Sequence, residues 1–127
     1  MTTDQSKVIL VAEDDYLVSE EIVRGLKSLG FENIIQVSDG LSAVHETCSL
    51  RPDIVLMDIK MPKLDGLEAA RQIRERCPTP VVTLTAYETD DLVQKAGEVG
   101  IAAYLTKPFR QGELERAIVI AWHVTAI

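Results

Sequence analysis

Four short apolar runs of this chain each end in residues able to do chemistry. Glu13, Asp14 and Asp15 follow the run at 8–12, and Asp58 follows the run at 53–57. Thr85 follows the run at 81–84, and Thr106, Lys107 and Pro108 follow the run at 101–105. Brought together, several carboxylates repel one another and require a cation; hard oxygen ligands with room for water suit Mg²⁺. A carboxylate can also attack phosphorus and form an acyl phosphate. A metal ion, a lysine, a hydroxyl and a backbone N–H would then neutralise the oxygens of the transferring group by placement alone. Singly, each residue has a plainer use. The acidic cluster could decorate a helix N-terminus, Asp58 or Thr85 could be a cap or turn residue, and Lys107 could sit in a solvated turn. Four separate run ends supplying ligand, nucleophile, hydroxyl and cation make the set stronger than its parts.

The elements that must position these residues follow from periodicity. Strands are expected at 8–12, 33–37, 53–57, 81–84 and 101–105. Between them, apolar residues recur at helical spacing over 15–29, 41–50 and 67–76, more weakly over 89–99, and again from 111 to the end. Gly30, Pro52, Pro62, Gly66 and Gly100 punctuate the pattern, and Gly97 is expected to interrupt the fourth helix. Strict alternation of five strands and five helices predicts an α/β fold with a parallel sheet covered on both faces. Right-handed crossovers leave a few doubly wound orders. The first, third and fourth strands are apolar almost throughout, as burial on both faces requires. In such sheets sites form outside the carboxyl ends of the strands, where these reactive residues stand.

Length and composition narrow the function classes. The chain has 127 residues, 46% of them apolar and 26% charged, which suits one soluble domain with its own core. Its net charge of −7 makes it a poor direct ligand for nucleic acid, since phosphate contacts need Lys and Arg. The apolar run at 8–12 is too short to span a bilayer and no basic segment precedes it, so neither a membrane span nor a signal peptide is expected. Cys48 and Cys77 lack C-x-x-C spacing and are read as two reduced thiols of a cytoplasmic protein. His45 and His123 are isolated and read as surface or core residues. No repeat, low-complexity tract or linker is apparent.

The segments ILVAEDD, PDIVLMDIKMPKLDGLEA, VVTLTAY and AAYLTKPF, with their spacing, resemble the receiver domain of bacterial two-component response regulators over nearly the whole chain. The resemblance implies a single-domain, flavodoxin-like (βα)5 fold with strand order 2-1-3-4-5. It places one receiver domain over 1–127, with a core of about 7–123. It implies a phosphoprotein in a phosphorelay, a switch that assists its own phosphorylation and dephosphorylation without being a conventional enzyme. Asp58 would be the phosphoacceptor. Glu13, Asp14, Asp58 and the backbone carbonyl of Lys60 would hold Mg²⁺. Thr85, the N–H of Ala86 and Lys107 would meet the phosphoryl oxygens, Tyr104 would swing inward with Thr85, and the Lys107–Pro108 bond would be cis. The acidic pair here is Glu-Asp rather than the commoner Asp-Asp, and Asp15 is read as a bystander. Lys60 and Tyr87 are expected to shield the acyl phosphate and slow its hydrolysis. The donor would be a histidine kinase or phosphotransfer protein.

A finer likeness, in LTAYETDDLVQKA, AAYLTKPF and LERAIVIAW, is to receivers that precede RNA-binding antitermination (ANTAR) modules. In the last helix Leu114, Ala117, Ile118 and Ala121 form one apolar face, with Val119, Ile120 and Ile127 roughly opposite. The face of helix four, strand five and helix five is therefore expected to meet an output domain, a partner or a second receiver in a homodimer. Among rivals, a haloacid-dehalogenase phosphohydrolase would carry an acid where Lys60 stands. A flavodoxin-like nucleotide or flavin binder would need a phosphate loop where three acids stand. A partner-binding pseudo-receiver would not need Asp58, Thr85 and Lys107 together.

Overall fold

The structure, a computed structural model, describes residues 6–86 and 90–125. Its elements are β1 (Val8–Ala12), α1 (Tyr16–Ser28), β2 (Asn33–Val37), α2 (Gly40–Leu50) and β3 (Ile54–Asp58). They continue with α3 (Gly66–Arg76), β4 (Val81–Thr85), α4 (Asp90–Glu98), β5 (Ala103–Thr106) and α5 (Gln111–Thr125). All strand pairs are parallel, in the order β2-β1-β3-β4-β5. The three strands expected to be buried on both faces are the central three, and the half-polar β2 and β5 are the edges.

Side-chain alternation divides the core into two layers. Ile9, Val11, Ile54, Leu56, Val82, Leu84 and Leu105 face α1 and α5, meeting Ile22, Leu26, Leu114 and Ile118. Leu10, Ala12, Val55, Met57 and Val81 face the other way and meet Ala43 and Val44 of α2 and Ala69, Ala70 and Ile73 of α3. Burying each large aliphatic side chain contributes about 1.5–3 kcal/mol.

Asx caps set the helix starts. Asp15, Asp39 and Asp65 accept backbone N–H groups of the first turns of α1, α2 and α3. Two expected strand starts shift. Asp53 is spent on a corner, its N–H donating to Val8 O and its carboxylate accepting Val8 N–H, so β3 opens at Ile54. Ile101 N–H donates back to Ala96 O across Gly100 (φ 75°), which closes α4 and delays β5 to Ala103. Gly97 does not interrupt α4, because the helix continues through it to Glu98. A Cβ there would meet nothing within 4 Å.

The expectation of two reduced thiols is corrected: Cys48 of α2 and Cys77, the residue capping α3, form a disulfide with Cα atoms 5.2 Å apart. Their sequence separation of 29 carries no hint of it. The two helix ends meet only because α2 and α3 pack side by side on one face.

Candidate functional site

At the carboxyl edge of the sheet, β1 delivers Glu13, β3 delivers Asp58 and β4 delivers Thr85, and the turn after β5 delivers Lys107. Glu13 N–H donates to Val37 O, which anchors the residue beyond the strand end. Ile59 N–H donates to Leu84 O and Lys107 N–H donates to Thr85 O (2.7 Å), tying the exits of β3 and β5 to that of β4. The Lys107–Pro108 peptide is cis, as the resemblance implied.

Lys107 Nζ lies 2.6 Å from Glu13 Oε1 and 2.9 Å from Asp58 Oδ2, joining residues 94 and 49 positions away. Glu13 and Asp58 are buried, only 3% and 7% exposed, and Thr85 is buried beside them. Burial, with the neighbouring Asp58 carboxylate, raises the Glu13 pKa to about 7 despite the bonds from Lys107 and from Asp15 N–H. Burial works to lower the Lys107 pKa, but the two carboxylates prevail and hold it above the usual lysine range.

Ligand atoms of Glu13, Asp14 and Asp58 lie within 4.8 Å of one another, with Asp14 exposed to solvent. Three carboxylates converging on one solvent-facing point, two of them already bonded to an ammonium, fit a hard divalent cation. Asp15, read as a bystander, is turned away from this cluster to cap α1 through Leu17 N–H and Val18 N–H.

The other expected residues distribute around this cluster. Lys60 N–H donates to Asp58 Oδ1 (3.3 Å) and the Lys60 side chain is exposed. Ala86 is exposed at the end of β4. Tyr104 points outward at 42% exposure, paired in register with Thr83. Tyr87 and Ile127 lie outside the described residues. His45 and His123 are both exposed. On α5, Leu114, Ala117, Ile118 and Ala121 are buried, as periodicity predicts, and Ile120 is 43% exposed.

Sequence reasoning missed three supports of the site. Gly66, read as a breaker, lies so close to β3 that a Cβ would overlap the Asp58 carbonyl oxygen, and its N–H donates to Ile59 O (2.7 Å). At Gly40 a Cβ would overlap Leu64 O, so the start of α2 is pressed against the loop after Asp58. Asp39 is buried and receives Ser42 N–H (2.7 Å) and Lys63 (3.7 Å). Its position before a helix with Ser three residues on was the available signal. The close approaches at the two glycines had none.

The family model described as "Response regulator receiver domain" matches residues 9–119. The transcriptional regulatory protein PdtaR of Mycobacterium tuberculosis is 40% identical over 113 residues, covering 89% of this chain and 55% of that protein. The transcriptional regulatory protein YdfI of Bacillus subtilis is 42% identical over 107 residues, covering 80% of this chain and 48% of that protein. The chain thus spans about half the length of these curated relatives. Among solved structures, the signal receiver domain of the putative response regulator NarL from Mycobacterium tuberculosis superposes with a TM-score of 0.85 at 29% identity. That match covers 92% of this chain and 97% of the other. Among the described residues, no helix is long and apolar enough to cross a membrane.

Proposed function

The chain belongs to the response regulator receiver family of two-component signalling, and from that premise we propose that Asp58 is its phosphoacceptor and that 1–127 forms one receiver domain. The observation that carries this reading is the Lys107 ammonium bonded at once to Glu13 and Asp58. One cation pinned against the nucleophile is in place before any phosphoryl group arrives, so little reorganisation is needed during transfer.

In the proposed reaction an Asp58 carboxylate oxygen attacks the phosphorus of a phosphohistidine donor. The P–N bond breaks, an acyl phosphate forms, and the imidazole leaves with a proton. Lys107 then pairs with a phosphoryl oxygen, while the Thr85 hydroxyl and the Ala86 N–H receive the others. Glu13, Asp14, Asp58 and the Lys60 carbonyl would hold Mg²⁺, which when bound neutralises charge on the carboxylates and on the transferring group. Glu13, whose pKa burial raises to about 7, would be held as the carboxylate by that added positive charge.

The modified state favours the arrangement in which Thr85 and Tyr104 have turned inward, a shift of population between two forms. Tyr104 and Ile120 stand on the face of α4, β5 and α5, which we assign to an output domain, a partner or a second copy. The resemblance to receivers preceding antitermination modules supports an RNA-binding output elsewhere than in this acidic domain. Lys60, exposed beside Asp58, and Tyr87 are assigned to slowing hydrolysis. The domain acts as a switch in the cytoplasm, where a histidine kinase or phosphotransfer protein supplies the phosphoryl group. Beryllofluoride binding, followed by fluorine NMR with Mg²⁺ present, tests the site. Wild type is expected to give a bound signal that Asp58→Asn abolishes; a signal that survives the substitution overturns the reading.

A further inference from the structure

The site loop and the disulfide stand at opposite ends of the same two helices. At the carboxyl edge of the sheet, the start of α2 is seated on the loop that follows Asp58. Gly40 N–H donates to Pro62 O, Gly40 leaves no room for a Cβ against Leu64 O, and Asp39 pairs with Lys63. That loop continues into α3 through Asp65 and Gly66, and Gly66 touches the Asp58 backbone. At the far edge, Cys48 and Cys77 bond the last turn of α2 to the end of α3. The helices are therefore clamped at both ends, by polar and backbone contacts beside the site and by one covalent bond away from it.

The layer between the clamps is thinly filled. Where the other face interlocks Ile and Leu, α2 and α3 bring Ala43, Val44, Ala69 and Ala70 to the sheet, with Ile73 the one large side chain. Small side chains give each helix few apolar anchors, so a covalent link bears more of the constraint here than it would on the α1 and α5 face.

We infer that Cys48–Cys77 is a redox-operated staple: closed, it holds α2 against α3 and so steadies the loop at 60–65 beside Asp58; open, it lets that loop loosen. The two sulfurs differ in access. Cys77 is fully buried, and its carbonyl accepts the Thr79 hydroxyl (2.9 Å), whereas Cys48 is partly exposed. A thiolate of a protein dithiol attacks Cys48 Sγ and the S–S bond breaks, releasing Cys77 as thiolate, which takes up a proton. The second thiol of the reductant then resolves the mixed disulfide. Two electrons and two protons pass to this chain, and the reductant is left as its own disulfide. Closure needs a two-electron oxidant of the peroxide class, reduced to alcohol and water as the two thiols join.

The test is trypsin cleavage after Lys63, whose side chain is exposed in the loop. It is run on the full chain in three forms: oxidised, reduced with a dithiol, and Cys48→Ser, with thiols counted by alkylation and mass. The oxidised form is expected to show no alkylatable thiol and slow cleavage. The reduced and Cys48→Ser forms should be cleaved at this bond roughly fivefold faster, in proportion to the opened population. They should also melt roughly 10 °C lower. Cys48→Ser should no longer respond to reductant. Two alkylatable thiols in protein treated with peroxide, or equal cleavage in all three forms, overturns the proposal. Because cleavage needs no phosphoryl group, its outcome stands apart from whether Asp58 is modified.

Discussion

The two faces of the sheet are held by different means. Against α1 and α5 the core is a continuous interlock of large side chains, among them Ile9, Ile22, Leu26, Phe31, Leu114 and Ile118. Phe31 is 1% exposed and its ring also meets Trp122 at 6.5 Å. Against α2 and α3 the side chains are smaller, and polar seating, tight glycine contacts and a disulfide take over part of the constraint. The face carrying the loop that flanks Asp58 is thus the one whose geometry depends on specific groups rather than on bulk apolar volume. Volume loss should hurt the first face most, and loss of single bonds should be felt on the second.

Phe31→Ala breaks the first face and carries the largest expected effect, about 3–5 kcal/mol of unfolding free energy, read from urea denaturation. Opening the Cys48–Cys77 bond comes next. Its 29-residue separation corresponds to about 3–4 kcal/mol in the chain-entropy account, which the same denaturation with and without reductant would measure. Asp39→Ala removes a cap on the second face and should cost about 1 kcal/mol.

The Asp39 effect carries a pH signature. The Ser42 N–H bond, aided by the Ser42 hydroxyl and Lys63, holds the Asp39 carboxyl below its ordinary value of 3.8. A depressed carboxyl pKa contributes stability that is present above the unfolded value and is lost as pH falls through the folded one. The difference between wild type and Asp39→Ala should therefore be constant near neutrality and shrink below about pH 3.8. The smallest effect is expected from Ile120→Glu, exposed on α5. It should leave stability within about 0.5 kcal/mol while weakening association of the phosphorylated protein in size-exclusion chromatography.

Legibility in the sequence divides along the same line. Apolar runs and helical spacing are local, so the five strands, the five helices and the burial of β1, β3 and β4 could be read directly. The site was legible because each reactive residue stands at a strand end, and the fold rule for parallel sheets brings strand ends together. What escaped was decided by contacts between elements. Cys48 meets Cys77, and Gly40 and Gly66 admit backbone at van der Waals distance, only after α2 and α3 have packed. Gly97 misled in the opposite direction: its position on the open side of α4 makes it a tolerated helix residue rather than a stop. Asp15, read as a bystander, is indeed set apart from the acidic cluster, because backbone direction at the start of α1 makes it a cap.

We propose that Lys107, Glu13 and Asp58 form a poised phosphoryl site. It is tested most directly by intact mass after incubation with acetyl phosphate, with and without Mg²⁺, on wild type, Asp58→Asn and Lys107→Ala. One added phosphoryl group is expected on wild type only when Mg²⁺ is present, none on Asp58→Asn, and a markedly slower gain on Lys107→Ala. A gain that persists in Asp58→Asn, or that proceeds equally well without Mg²⁺, would contradict it.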